Sequence, residues 1–373
     1  MCDFGDERGN LPGGVLAHTA TTTTIKMLLS FGSNGNGQLG IGHEEDTHAP
    51  TKCIPMSVFP ETGQPKSLAA GGNHTLVLFP CGSLYASGLN THGQCGLPIS
   101  TGKSLSKFQQ VPPPPDGGRW DLISAGWEFS ILVSTTGAIF VCGSGSKGEL
   151  GLGDNITSCE LTRMEPFSAE TTIVAVSSGM AHSIALTENG ELWGWGAGRQ
   201  GQLGHPVGKT VGVPRRVQMG YAVAAARCGR EFTFAVSATG ARHTMLGGNG
   251  RFGLVEGTPV QGELLQWRNI GASWGSVLVL MADGTVKGWG RKDKGQLPSE
   301  GLHGVQDMAV GSEHGLAVVR GKVATWGWGE HGNCGLDRSQ NGGDVIGDVH
   351  LVEVAGTVKR VWAGCATSWV WTE

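Results

Sequence analysis

Residues 190–204 read Gly190-Glu191-Leu192-Trp193-Gly194-Trp195-Gly196-Ala197-Gly198-Arg199-Gln200-Gly201-Gln202-Leu203-Gly204. A glycine turn opens a short strand-like run, and a second glycine-punctuated turn closes it. The second half fits Gly-x4-Gly-[Gln/Glu/Asn]-[Leu/Cys]-Gly, a pattern that returns at residues 32–40, 88–96, 143–151 and 327–335. Two copies are eroded: one runs from Trp289-Gly290 to Gly295-Gln296-Leu297 and ends in Pro298, and the other lies at residues 246–253. Seven units are therefore visible.

A second pattern, Gly-x-x-His-[Ser/Thr], occurs at 71–75 and 179–183 and, with Gly315 in the last place, at 311–315. Degenerate copies stand at 126–130, 229–233, 272–276 and 364–368. A third pattern, a turn glycine before a short strand, begins at Gly82, Gly137, Gly190, Gly240, Gly284 and Gly321. Runs such as Ser183-Ile184-Ala185-Leu186 alternate with the period of strands rather than helices. Each unit has enough chain for about four strands, cannot bury both faces alone, and is expected to stack radially. The sequence thus predicts an all-β, seven-bladed β-propeller over residues 25–373, with residues 1–24 as a flexible leader. After 364–368 no third-pattern strand remains, so residues 26–32 are expected to complete the last blade and close the ring.

Composition narrows the function. Glycine accounts for 64 of 373 residues, and Lys+Arg 27 against Asp+Glu 31 gives a formal charge of -4, which offers no global field for a phosphate backbone. Direct nucleic-acid binding is not expected. The nine cysteines never fall in C-x-x-C spacing, so they read as reduced, mostly buried thiols and no metal site is expected. No apolar run approaches the roughly 20 residues that span a bilayer, so no membrane contact is expected. Residues 143–148 and 196–201 satisfy G-x-G-x-x-G, but in repeat turns without a βαβ unit, and no cofactor is expected. Gly208-Lys209-Thr210 lacks the upstream glycine of a phosphate-binding loop. Residues 271–275 match G-x-S-x-G, yet Val277-Leu278-Val279-Leu280 reads as a strand where a nucleophile elbow needs a helix. No catalytic residue is expected.

The Gly-Gln-Leu-Gly and Gly-x-x-His-Ser patterns resemble the regulator-of-chromosome-condensation repeat family across residues 25–373. Trp-Asp occurs once, at Trp120-Asp121, and only two tyrosines are present, so WD-type and kelch repeats fit poorly. Within the family, Phe31-Gly32-Ser33-Asn34-Gly35, residues 326–335 and residues 364–369 are similar to a fungal branch. That resemblance implies a heterodimer with a small metal-binding protein of the CSL zinc-ribbon type. It also implies service to diphthamide-synthesis enzymes and to Elongator-dependent modification of tRNA wobble uridines, in cytoplasm and nucleus. The alternative the family implies is a guanine-nucleotide exchange factor for a small GTPase. Exchange needs a wedge, and residues 97–121, with Pro112 to Pro115, read instead as an edge loop.

His74, His182 and His314 recur at one repeat position and are expected to bond a neighbouring blade. The two residues before that position are free to vary and should ring one face. They include Asn73, Trp127, Glu128, Glu231, Trp274 and Glu313, which together predict an amphipathic, acidic docking surface. In Trp326-Gly327-Trp328, one indole should face inward; Trp328, Glu330 and His331 are the expected exposed set. Arg199, Lys292 and Lys294 read as solvated loop charges.

Overall fold

The strand His182–Thr187 shows why these sequences form blades. It pairs on one side with Ile173–Ser178 and on the other with Leu192–Ala197. All six of its side chains are buried, because Ile184 and Leu186 pack against one neighbouring sheet and Ala185 against the other. A sheet covered on both faces needs a run apolar throughout, unlike a half-exposed strand.

The structure is a computed structural model that describes residues 26–60, 63–165, 167, 171–248, 250–299, 302–337 and 345–373. The expected leader, residues 1–24, lies outside the described residues. Seven antiparallel sheets are present among those described. Blade 1 spans residues 67–111, blade 2 120–164, blade 3 173–217, blade 4 225–247, blade 5 267–290 and blade 6 305–352. Blade 7 is ordered Thr47–Lys52, Met27–Gly32, Thr367–Thr372 and Val358–Ala363 from outside inward. Residues 27–32 thus close the ring, pairing continuously from Met27↔Thr372 to Gly32↔Thr367. Blades 4 and 5 carry three described strands each; beside blade 4 a stretch of turns, residues 250–266, follows the third strand.

The core is divided into seven apolar clusters, one at each blade-to-blade interface. Trp195, fully buried, crosses from blade 3 so that its Nε1 donates to the Glu149 carbonyl of blade 2 at 2.9 Å. Trp326 does the same from blade 6 to Gln296 at 3.1 Å.

The recurring histidines join blades as expected. His74 Nε2 lies 2.8 Å from Ser130 Oγ, His182 Nε2 3.0 Å from Thr233 Oγ1 and His314 Nε2 2.9 Å from Ser368 Oγ. Ser130 and Ser368 donate in turn to the carbonyls of Gln94 and Asn333, so their histidines act as Nε2–H donors. Burial pushes each of the three imidazoles down to about 4, and they are neutral at physiological pH.

Residues 97–121 are not an edge loop. Ser104–Val111 is the outer strand of blade 1, fixed by buried Leu105, Phe108 and Val111, and Trp120–Ala125 is the inner strand of blade 2. The proline run only connects them, and Pro112 contributes its carbonyl to Trp120 Nε1 at 2.8 Å.

Candidate functional site at the channel mouth

Where each inner strand turns back, the backbone builds two concentric rings on one face. The carbonyls of Asn73, Glu128, Ala181, Glu231, Gly275, Glu313 and Ala366 accept from Leu89, Ser144, Ala197, Gly248, Arg291, Trp328 and Ser33, one bond per blade. This equivalence corrects the register read for blade 5. Ser273 holds the repeat's glycine position, and Trp274 stands one place earlier in the motif than its spacing suggested, level with Trp127. The reason is that three residues separate strands Trp267–Ala272 and Ser276–Met281, as in every other blade; Ala272 ends the inner strand and Ser273 is the first of the three. Ser273 Oγ bonds Ser276 Oγ at 2.8 Å and the following segment is a strand, so residues 271–275 form no nucleophile elbow.

The innermost ring, Gly72, Trp127, Met180, Arg230, Trp274, Ser312 and Cys365, surrounds the channel mouth. Trp127 of blade 2 and Trp274 of blade 5 meet there, ring centroids 5.9 Å apart and tilted by 46°. Both are half-buried. Arg230 places its guanidinium carbon 5.3 Å from the Trp274 ring. Gly72 lets Trp127 close in, since a Cβ there would fall 3.0 Å from Trp127 Cδ2 and 2.8 Å from its carbonyl oxygen. The thiols lining the channel, Cys228 and Cys365, are pushed up by burial to about 12 and about 11, which leaves no thiolate nucleophile at neutral pH.

The nine residues singled out in the sequence all belong to this face, in different states. Trp127 and Trp274 touch; Asn73 and Glu128 are half-buried in the second ring. Glu231 pairs with Arg251 at 3.5 Å. Glu313 is not a docking carboxylate in this structure: it is 5% exposed, bonded to Arg291 at 2.5 Å and to Gln296 Nε2 at 2.7 Å. Burial raises its carboxyl above the ordinary glutamate range, and the Gln296 and Arg291 bonds partly offset this. Trp326 is the inward indole of its pair, and Trp328 is half-buried under Lys294, whose Nζ is 5.2 Å from the ring. His331 is exposed and bonds Asp46 of blade 7 at 2.8 Å; Glu330 is half-buried.

The face is therefore not acidic. Two of its carboxylates, Glu231 and Glu313, are matched by arginines that the repeat patterns did not single out, Arg251 and Arg291, and Arg230 stands exposed beside them. Asp293, also bonded to Arg291, is held below the usual carboxylate range by that contact. Of the expected solvated loop charges, Arg199 and Lys292 are exposed, Arg199 on the wall of a groove, whereas Lys294 covers an indole. No group of three or more His, Cys, Asp or Glu suited to a metal occurs among the described residues.

Residues 17–370 match the family model of the RCC1-like domain. An RCC1 repeat-containing protein of Schizosaccharomyces pombe, C10F6.04, is 32% identical over 92% of this chain and 98% of its own length. The mouse secretion-regulating guanine nucleotide exchange factor is 30% identical over 86% of this chain and 78% of its own. Among solved structures, Prp20p from Saccharomyces cerevisiae superposes with a TM-score of 0.80 at 22% identity, covering 94% of this chain and 92% of that one.

Proposed function

The chain belongs to the RCC1-like domain family, and from that premise we propose a non-catalytic protein-binding platform whose contact region is the channel mouth. The observation that carries this reading is the pair of half-buried indoles, Trp127 and Trp274, in tilted contact, with Arg230 over Trp274, at the centre of a charged rim. Aromatic and arginine side chains on a rigid base lose little entropy on association and supply most interface energy.

The partner in this proposal is a small CSL-type zinc-ribbon protein, held as a heterodimer in cytoplasm and nucleus. The pair would serve diphthamide-synthesis enzymes and Elongator-dependent wobble-uridine modification, with the chemistry in those partners. Support comes from Trp326-Gly327-Trp328-Gly329-Glu330-His331 and from Gly364-Cys365-Ala366-Thr367-Ser368-Trp369, which resemble the fungal alpha-tubulin suppressor branch of the family.

Calorimetric titration against the zinc-ribbon protein of the same organism tests it. The expected result is micromolar or tighter binding, weakened by about 2 kcal/mol or more in Trp127→Ala or Trp274→Ala. Because the two indoles touch, the double variant should cost less than the two single losses combined. Absence of binding at high concentration removes the zinc-ribbon partner. The rival reading, nucleotide exchange, rests on similarity to the mouse exchange factor and would then be measured as nucleotide release from small GTPases.

A further inference from the structure

Two adjoining depressions on the same face share Gln200, Arg230 and Glu231 and form one trough from blade 2 to blade 5. The outer part, about 460 Å³, is walled by Lys147, Arg199 and Lys209 over a floor that includes Met180, Ala181 and Ala197. None of those three cations, nor Arg230, has a carboxylate within salt-bridge distance among the described residues. The inner part, about 200 Å³, lies between Phe232, Leu254, Trp274 and Phe252, with Arg251 and Arg291 at its edge.

Phe252 marks the inner part as unusual. Six repeats place a glycine two residues before the Leu or Cys of the Gly-Gln-Leu-Gly pattern: Gly37, Gly93, Gly148, Gly201, Gly295 and Gly332, at φ between 70° and 84°. In blade 4 the corresponding Leu254 is buried, and the residue two places earlier is Phe252, at φ 61°. A phenylalanine in the left-handed region is strained, and such outliers persist where the surroundings or a function hold them. The residue is 44% exposed, and its ring is flanked by the guanidiniums of Arg291 at 4.9 Å and Arg251 at 5.5 Å. Blade 5 makes room for it: a Cβ on Gly275 would fall 2.9 Å from Phe252 Cδ2.

We propose that this trough seats an acidic segment of a partner protein, its carboxylates along Lys147, Arg199 and Lys209 and one apolar side chain between Phe252 and Trp274. The occupant follows from charge complementarity, since six cations line the trough against two carboxylates, Glu231 and Glu313, both already paired. An acidic peptide fits better than a nucleic acid. The floor is apolar, and the space between Phe252 and Trp274 suits an apolar side chain of a peptide, which a continuous phosphate chain lacks. The inference rests on the docking reading above and narrows its partner surface to blades 2 to 5.

The test uses the full chain and a fluorescein-labelled peptide of alternating Asp and Glu around a single Leu. Its controls are the Asn/Gln analogue, a Leu→Ser peptide and a short single-stranded DNA of equal length. The acidic peptide should bind, should weaken with added salt, and should lose at least about tenfold in affinity to R199E/K209E. Phe252→Gly should weaken the Leu peptide and leave the Ser peptide unchanged. Equal binding of the neutral analogue, tighter binding of DNA, or indifference to R199E/K209E overturns the proposal. The whole zinc-ribbon protein, titrated in parallel, separates the two readings. If it binds R199E/K209E like the parent, the trough is wrong and the platform stands; if only the peptide binds, the zinc-ribbon assignment is wrong and the trough stands.

Discussion

At Phe252 the backbone conformation costs a side-chain-bearing residue about 1–2 kcal/mol relative to glycine. Replacing it with the glycine of the other repeats relieves that strain but gives up a half-exposed ring and adds unfolded-state freedom, each worth about 1 kcal/mol. Phe252→Gly is therefore expected to leave the urea midpoint close to that of the parent, and a loss above about 2 kcal/mol would show the ring to be structural. Arg291 and Glu313 differ in the opposite way. Glu313 has 7% of its side chain exposed, while Arg291 keeps 20% and also holds Asp293. Arg291→Met, which strands a buried carboxylate, should cost about 3 kcal/mol in urea unfolding; Glu313→Gln should cost clearly less. Neither feature was legible in the motifs. Glu313 looked like a free rim residue because its partner, Arg291, lies in another repeat, and Phe252 was hidden in an eroded copy until buried Leu254 fixed the alignment.

Among the strands, position in the blade decides what a substitution does. Outermost strands already contain prolines, Pro50 in Thr47–Lys52 and Pro214 in Thr210–Val217. An edge strand can spare a donor, whereas an interior one cannot. The strand Met27–Gly32 is interior, with Leu29 opposite Val370 on one side and Lys52 on the other. Leu29→Pro should thus cost about 3 kcal/mol or more and speed hydrogen exchange of the amides in Thr367–Thr372, while a proline at Lys52, whose amide faces away from the ladder because Cys53 N donates to the Leu28 carbonyl, should do neither. Exchange mass spectrometry distinguishes the two. Blade number, ring closure and the inter-blade histidines were legible, because glycine turns punctuate the chain at regular intervals and the final motif lacks a following strand. The blade 5 register was not, since Ala272 and Ser273 are both small and either could fill the glycine place. Residues 97–121 were misread because prolines drew attention from the alternation of Leu105, Phe108 and Val111.

Over the whole ring, three imidazoles bolt separate interfaces, blade 1 to 2, 3 to 4 and 6 to 7. Each is held neutral at about 4 from an ordinary value of 6.5. Between these two values the unfolded chain takes up protons that the folded chain refuses, so stability is complete above 6.5 and falls as the pH drops toward 4. The loss for a fully buried histidine is on the order of 3 kcal/mol, and the three act on one closed, cooperative ring. The urea midpoint should therefore decline steeply from pH 7 to pH 5. Blades 2 and 4 place Phe129 and Phe232 where blade 1 has His74, which identifies a substitution the fold accommodates. His74→Phe should remove about a third of the decline, since it removes one of three comparable protonation sites. It should also leave stability at pH 7.5 within about 1 to 2 kcal/mol of the parent, the scale of the single lost hydrogen bond. An unchanged pH dependence in His74→Phe would place the origin in the carboxylates instead, and the histidines would then be bolts without a titration.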